Sequence, residues 1–253
     1  MNVKQAANVL ELLEFFAQHR RPATLAEIAK HFNWPRSSTF NLLGTLAARG
    51  FVYEPKARGG YYPTPLWSKL VHQIDSADPI PHQLHQMLED LVKATGETAV
   101  LAAASGAYAT YVDSVESPHA VRYTANPGKM IPLHVTATGR ALLSQMSAAD
   151  RSAVLRRANF ERYTPTTLMS VAAVEREIKK SLERGWFEGN AEYTRDLGGV
   201  AMPLRMPHRD FAVLVAGPMF RLSSRSEELA KSISRVISLH VAPAGTAANG
   251  TST

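Results

Sequence analysis

Apolar residues recur along this chain at helical spacing in five places. They are Val9, Leu12, Leu13 and Phe16; then Thr39, Leu42, Leu43 and Leu46; then Leu66, Leu70, Val71 and Ile74; then Leu84, Leu88, Leu91 and Val92; and last Val171, Val174, Ile178 and Leu182. Each set puts one stripe on one side of a helix. Shorter helical segments are predicted at Thr138–Met146 and Ala149–Arg156, and a final one from about Ser224 to His240. Between them, runs rich in β-branched, aromatic and small apolar residues read as strands. These are Thr98–Ala104, Tyr108–Glu116, Ala120–Thr124, Trp186–Tyr193, Gly199–Met206 and Phe211–Met219. Two sets of three strands, with helices between and after them, predict an α+β fold with a mainly antiparallel sheet. Asp78-Pro79-Ile80-Pro81 interrupts the helical pattern twice. We therefore divide the chain into residues 1–64, a helical linker 65–80, a larger domain 81–243, and a small polar tail 244–253 expected to be disordered.

The first of these regions carries the strongest local signals. Thr24-Leu25-Ala26-Glu27 has the form of a capping box, in which Thr24 and Glu27 satisfy each other's amides at a helix start. A short helix to about Phe32 follows, then Asn33 and Trp34 as a turn. Pro35 stands in the first turn of a second helix, and Gly50 is its stop. Phe51–Glu54 and Tyr61–Thr64 flank a Gly-rich loop and read as a hairpin, so the whole is a winged helix-turn-helix. Opposite the buried stripe of the second helix lie Arg36, Ser37, Ser38, Phe40, Asn41 and Thr45, with Gly44 among them. Short polar groups, a cation and little bulk are what a helix needs to meet base edges and phosphates in duplex DNA. Gly44 costs roughly 1 kcal/mol of helix stability against alanine, and close approach to a backbone is one reason to keep it. Lys56 and Arg58 at the hairpin tip are placed to reach phosphates.

Charge follows the same division. The chain's formal charge is +6, and the first 65 residues hold eight basic and four acidic residues. Positive charge is thus concentrated where the DNA-reading helix is expected. There are no cysteines, which excludes disulfides, thiolate zinc sites and a thiol nucleophile, and suits a reducing compartment. No apolar run approaches the ~18 residues of a membrane span, and no apolar leader segment opens the chain. A cytoplasmic protein with no membrane partner is expected.

Further along the chain, segments occur whose order and spacing carry a resemblance. Beyond Pro35-Arg36-Ser37-Ser38-Thr39 they are Pro132-Leu133-His134-Val135-Thr136-Ala137-Thr138-Gly139-Arg140-Ala141-Leu142-Leu143, Arg184-Gly185-Trp186, Glu192, Val200-Ala201-Met202-Pro203-Leu204 and Ala216-Gly217-Pro218. Over about residues 5–240 the chain resembles the IclR family of bacterial transcription regulators. The resemblance implies a GAF-like effector domain, a homodimer or dimer of dimers on operator DNA, and a small organic acid or aromatic metabolite as effector. Carried over by position, the effector pocket would be walled by Leu133, Ala137, Thr138, Gly199, Met202, Leu214 and Ala216, with Met130 on the preceding loop and Glu192 nearby. Ala137 and Thr138 open a helix, where free N–H groups favour a carboxylate; Gly139 and Ala141 could equally serve only close helix–sheet packing. Gly199, Leu214 and Ala216 are small or apolar where some relatives are polar. That argues for a roomier cavity and an effector with a ring or apolar body. Asn41 replaces a frequent arginine, so operator preference is this chain's own.

Other chemistries fare less well. No GxSxG elbow, Walker loop, HExxH or dinucleotide fingerprint is present. Glu192 and Asp196 lack an accompanying nucleophile, Glu192 reads better as a loop anchor, and no enzyme or cofactor is expected. His82, His85 and Glu89 share one helix face and could hold zinc with a further ligand, although solvated side chains are the commoner outcome for such a set. His134 reads as packed against the sheet or bonded to backbone. A purely architectural DNA-binding protein is the alternative, but it gives no use to the large second domain.

Overall fold

The computed structural model describes residues 3–57, 59–77, 82–207 and 209–241. Arg58, the double-proline break and the 244–253 tail lie outside the described residues. The chain divides into two compact units, residues 1–80 and 81–253.

In the first unit, helices α1 (Lys4–His19), α2 (Leu25–Phe32) and α3 (Arg36–Ala48) precede a two-stranded antiparallel hairpin, β1 (Val52–Tyr53) and β2 (Tyr62–Pro63). The capping box forms: the Glu27 amide donates to Thr24 Oγ1 at 3.2 Å, and the Thr24 amide donates to Glu27 Oε2 at 2.8 Å. Those bonds, with Arg21 beside it, hold the Glu27 carboxyl down at about 2. Asn33 takes the left-handed conformation that turns α2 into α3. Trp34 stacks on Phe32 at 4.2 Å. Pro35 is the N-cap of α3 rather than a residue of its first turn, and its carbonyl accepts from the Thr39 amide. Leu12, Phe16, Ile28, Leu43 and Val52 close the core. Helix α4 (Leu66–Ala77) continues from the hairpin, with Trp67 Nε1 donating to the Phe51 carbonyl at 2.9 Å. Beyond Trp67 its apolar side emerges: Leu70, Val71 and Ile74 are exposed.

The second unit is built on a six-stranded antiparallel sheet in the order β5-β4-β3-β8-β7-β6. The strands are β3 (Thr98–Ser105), β4 (Tyr108–Val115), β5 (Met130–Pro132), β6 (Phe187–Asn190), β7 (Leu197–Arg205) and β8 (Asp210–Pro218). Helix α5 (His82–Thr95) precedes them. Helices α6 (Ala137–Leu143), α7 (Ala148–Arg157) and α8 (Val171–Arg184) lie between β5 and β6, and α9 (Met219–Leu222) and α10 (Ser226–His240) follow. Because successive strand residues face opposite sides, the sheet buries two sets of side chains. Val100, Ala102, Ala201, Ala212, Leu214 and Ala216 share a core with residues of α6, α7 and α8. The alternate positions Ala99, Leu101, Val200, Val213 and Val215 are equally buried, on the side that α5 and α10 cover.

One predicted strand is absent. Residues 120–124 form no ladder; the Tyr123 and Ala125 carbonyls instead accept hydroxyl bonds from Thr98 and Ser114, both at 2.6 Å. The free edge of β4 is taken by β5, with Ala109 opposite Ile131. Side-chain hydroxyls have replaced a strand partner for that loop.

Candidate functional site

Each unit carries a candidate recognition surface among the described residues. On α3, Thr39, Leu43 and Leu46 are buried. Arg36, Ser37, Ser38, Phe40, Asn41, Gly44 and Thr45 are all exposed. Phe40 is 60% exposed on the same side. A Cβ added at Gly44 would meet nothing within 4 Å, so no contact inside the protein explains that glycine. Lys56 is exposed on the hairpin. Arg58 lies outside the described residues.

In the second unit a pocket opens between the start of α6, the β6–β7 connection and the face of β7 and β8 that carries Gly199, Leu214 and Ala216. Ala137, Thr138, Glu192, Gly199, Leu214 and Ala216, expected from sequence, all line it. Three expected residues do not. Leu133 is buried at 1% exposure in the turn before α6. Met130 is half exposed on edge strand β5. Met202 pairs with Val213, and the two-residue period of β7 turns it to the face opposite Gly199. The sequence reading placed the right strand but mixed its two parities.

The structure adds Tyr111, Tyr123 and Tyr193 to the wall. Their contribution is invisible to local pattern, because β4 and two irregular loops bring them together. The Tyr111 and Tyr123 hydroxyls lie 2.9 Å apart. Burial, then the neighbouring Tyr123, raises the Tyr111 phenol well above its usual range, so it acts as a neutral group. Lys129 Nζ donates to Tyr123 Oη at 3.4 Å, and the loop carrying it is tied down by the Gly128 amide on the Tyr111 carbonyl at 2.7 Å.

The inner volume of the pocket is about 70 Å³, well under the ~300–1,000 Å³ of ligand-filled sites. The room expected at Gly199 is not open in this structure. A Cβ at Gly199 would stand 2.8 Å from Leu214 Cδ1 and from the Val215 carbonyl. The space that Gly199 vacates is therefore already filled by Leu214. Gly139 likewise serves packing: a Cβ there would collide with the Leu133 backbone.

The polar groups of the wall are neutral donors and one paired acid. Glu192 Oε1 accepts from Arg140 Nη2 at 3.1 Å and its Oε2 accepts from the Asn190 amide at 2.7 Å. Its carbonyl accepts from Thr164 and Thr167, so Glu192 anchors the loop as expected. None of the lining residues is Lys, Arg or His. Thr138 is 1% exposed, and its Oγ1 has no hydrogen-bond partner among the described residues. The Thr136 hydroxyl takes the Gly139 amide at 3.1 Å, whereas the first-turn amides of Ala137 and Thr138 have no place in the helical ladder.

The remaining sequence candidates resolve as follows. His134 is fully buried and packs on Phe160 at 4.5 Å between ring centres, without a bond to backbone. Burial first, and Arg140 second, lower its pKa. His85 Nδ1 meets Asp113 Oδ2 at 2.9 Å, with Glu89 3.9 Å from its other nitrogen. Among the described residues no three His, Asp or Glu groups gather as a metal set. No helix among the described residues is long and apolar enough to cross a membrane.

Comparison with known proteins places both units. A family model described as the IclR helix-turn-helix domain matches residues 5–55. A model described as bacterial transcriptional regulator IclR C-terminal matches residues 72–239. The transcriptional repressor IclR of Escherichia coli (strain K12) is 27% identical over 231 residues, covering 87% of this chain and 82% of the relative. The crystal structure of Thermotoga maritima IclR superposes with a TM-score of 0.68 at 24% identity, covering 92% of this chain and 98% of that one. An IclR homologue from Microbacterium hydrocarbonoxydans, crystallised with 4-hydroxybenzoate, gives a TM-score of 0.66 at 19% identity and covers 93% of this chain and 99% of that one. With a helix-turn-helix unit and a larger C-terminal unit both matched in order, the chain belongs to the IclR family of DNA-binding bacterial transcriptional regulators.

Proposed function

We propose that this protein represses a catabolic operon and that a small carboxylate with a ring or apolar body, bound in the α6–β7–β8 pocket, controls its grip on operator DNA. The observation that carries this reading is the Thr138 hydroxyl. A buried hydroxyl without a partner costs about 1–3 kcal/mol, and this one belongs to a residue of the pocket wall, where a modest opening of the pocket would uncover it. A bound acceptor would relieve it. The apolar surfaces of Leu214, Ala216 and Leu197 suit a ring. The hydroxyl and the first-turn amides of α6 suit a carboxylate, with the Glu192 charge neutralised by Arg140. The relative that holds 4-hydroxybenzoate supports the same ligand class. The present pocket must widen to admit a ring, and displacement of Leu214 is the direct way to do so.

On DNA, Arg36, Ser37, Ser38, Phe40, Asn41 and Thr45 meet the major groove, and Lys56 and Arg58 meet flanking phosphates. Two copies are needed for operator-level specificity, and the exposed Leu70, Val71 and Ile74 side of α4 is the surface we assign to pairing them. Relatives named as repressors support the sign of regulation.

The test combines thermal shift with operator binding, using benzoate, 4-hydroxybenzoate and aliphatic acids as probes and an operator selected from random duplexes. A ligand at about 100 times its Kd adds about 2.7 kcal/mol of stability, and the coupling to DNA should be about 5- to 150-fold. Ala216→Phe should abolish the effector response and leave operator binding intact. A folded Ala216→Phe protein that responds with unchanged affinity puts the pocket elsewhere, and operator affinity unmoved by every acid favours an architectural role.

A further inference from the structure

The first unit holds a second concavity that the reading above does not use. Helix α1 and the recognition helix α3 share a groove of about 730 Å³. Its polar lining is Lys4, Gln5 and Asn8 from the first turns of α1, and Ser38, Asn41 and Thr45 from α3, over an apolar floor. None of its lining residues is acidic.

The composition of α1 points to what belongs there. Residues three and four apart share a helix face, so Lys4, Asn8, Leu12 and Phe15 form one stripe. Leu12 and Phe15 are buried in the core. Towards the start of the helix the same stripe becomes Asn8 and Lys4 and overhangs the groove. Had this groove been made for the apolar helix of a second copy, the stripe would stay apolar to its end. It becomes polar and cationic instead, which fits a hydrated anion.

Position decides which anion. A helix with side chains is about 10–12 Å across and the major groove about 12 Å wide. A recognition helix therefore fills the groove, and whatever flanks it stands over the sugar–phosphate rims. The exposed side of α3 carries two adjacent stripes. Ser37, Phe40 and Gly44 point away from α1, whereas Ser38, Asn41 and Thr45 line the shared groove. Arg36 is exposed at the start of the same helix.

We infer that the α1–α3 groove seats one backbone strand of the duplex, with Lys4, Gln5 and Asn8 as phosphate contacts opposite the groove stripe of α3. The inference rests on α3 being the DNA reader and adds α1 as the clamp that fixes how deeply it enters. Such contacts carry affinity and register without sequence information.

The experiment uses the full chain and fluorescence anisotropy on two duplexes of equal length, a selected operator and an unrelated sequence, from 50 to 200 mM KCl. Lys4→Ala should weaken binding to both duplexes alike. It should take about 0.9 off the slope of log affinity against log salt for each lysine removed, equivalent to about 3.5-fold over this fourfold change in salt. The double variant Gln5→Ala/Asn8→Ala should weaken both several-fold without changing the slope, because no charge is lost. Unchanged affinity and slope in Lys4→Ala, while Arg36→Ala still weakens binding, overturns the clamp and leaves the reader standing. If Arg36→Ala and Asn41→Ala also bind normally, it is the reader assignment that has failed. A change in sedimentation of the α1 variants without DNA, with the salt slope intact, gives the groove to a second copy and also overturns the proposal. Lys4→Gln, which keeps the stem of the side chain, repeats the slope test should the alanine variant lose stability.

Discussion

Replacing Thr138 by valine should make the empty protein more stable and the ligand weaker at once. Thr138 is 1% exposed, and its hydroxyl has no partner among the described residues. Valine keeps the branched shape and has nearly the helix propensity of threonine, so packing in α6 changes little. An unsatisfied buried hydroxyl costs about 1–3 kcal/mol, and its removal returns that amount. For a domain of this size each kcal/mol moves the melting temperature by about 2–4 °C, so the empty variant should melt several degrees higher. The same hydroxyl, if it bonds the carboxylate, contributes about 1.5–3 kcal/mol as a charge-assisted bond. Affinity for the best acid should then fall by a factor of roughly 10–150. Scanning calorimetry without ligand and titration calorimetry with it read the two effects separately. A melting temperature at or below that of the parent means that the hydroxyl is already satisfied in solution, and unchanged affinity means that it does not face the ligand. Either result removes the argument that the pocket is a site kept at a cost to stability.

Asn41→Ala should cost about 1–3 kcal/mol on the operator and little on random DNA, whereas Lys56→Ala should weaken both equally and flatten the salt dependence; equal losses from Asn41→Ala in a competition assay would end its role as a base reader. Ile74→Asp should shift sedimentation at micromolar concentration towards a single chain, since it places a charge on the exposed α4 stripe, and an unchanged profile would put the pairing surface elsewhere. The Glu27 carboxyl is held at about 2, below the ordinary glutamate value of 4.5, so its support of α2 is complete above about pH 5 and is lost as pH falls from 4.5 towards 2. Acid melting of Glu27→Gln should therefore lack that component of the transition, and an acid profile identical to the parent's would show that the cap does not stabilise the unit.

Local signals were readable, and long-range juxtapositions were not. Thr24 and Glu27 make their capping box because its chemistry is contained in four residues. Thr39, Leu43 and Leu46 are buried because helical period alone fixes their face. Met202 shows where such reasoning ends. The strand was found, but its parity is set by pairing with β8, and one residue of error turns a side chain to the other face. The predicted strand at 120–124 failed for a related reason. Its propensity was adequate, but Thr98 and Ser114 hold the Tyr123 carbonyl within it and the Ala125 carbonyl just after it with hydroxyls, a competition that depends on residues outside the segment. The tyrosines of the pocket come from β4 and two loops, so no window of sequence contains them. Gly199 looked like added room because a missing side chain suggests space, and only the position of Leu214 shows that the space is taken.

The buried arginine bears on how the β6–β7 hairpin finds its alignment. Gly189 sits opposite Gly199 and Asn190 opposite Gly198, so three of those four positions have no side chain with which to distinguish one alignment from the next. Glycine-rich pairs of this kind slip readily. Arg140 is fully buried and donates to both the Glu188 carbonyl, at 2.6 Å, and Glu192, at 3.1 Å. A hairpin displaced by one residue would carry Glu192 away and strand a guanidinium in the interior, at a cost of about 3–5 kcal/mol. That penalty is large against the small differences between alternative glycine pairings. Buried Phe187 opposite Ala201 sets the alignment at one end of this ladder, and Arg140 penalises misalignment at the other, where the glycines offer nothing to hold.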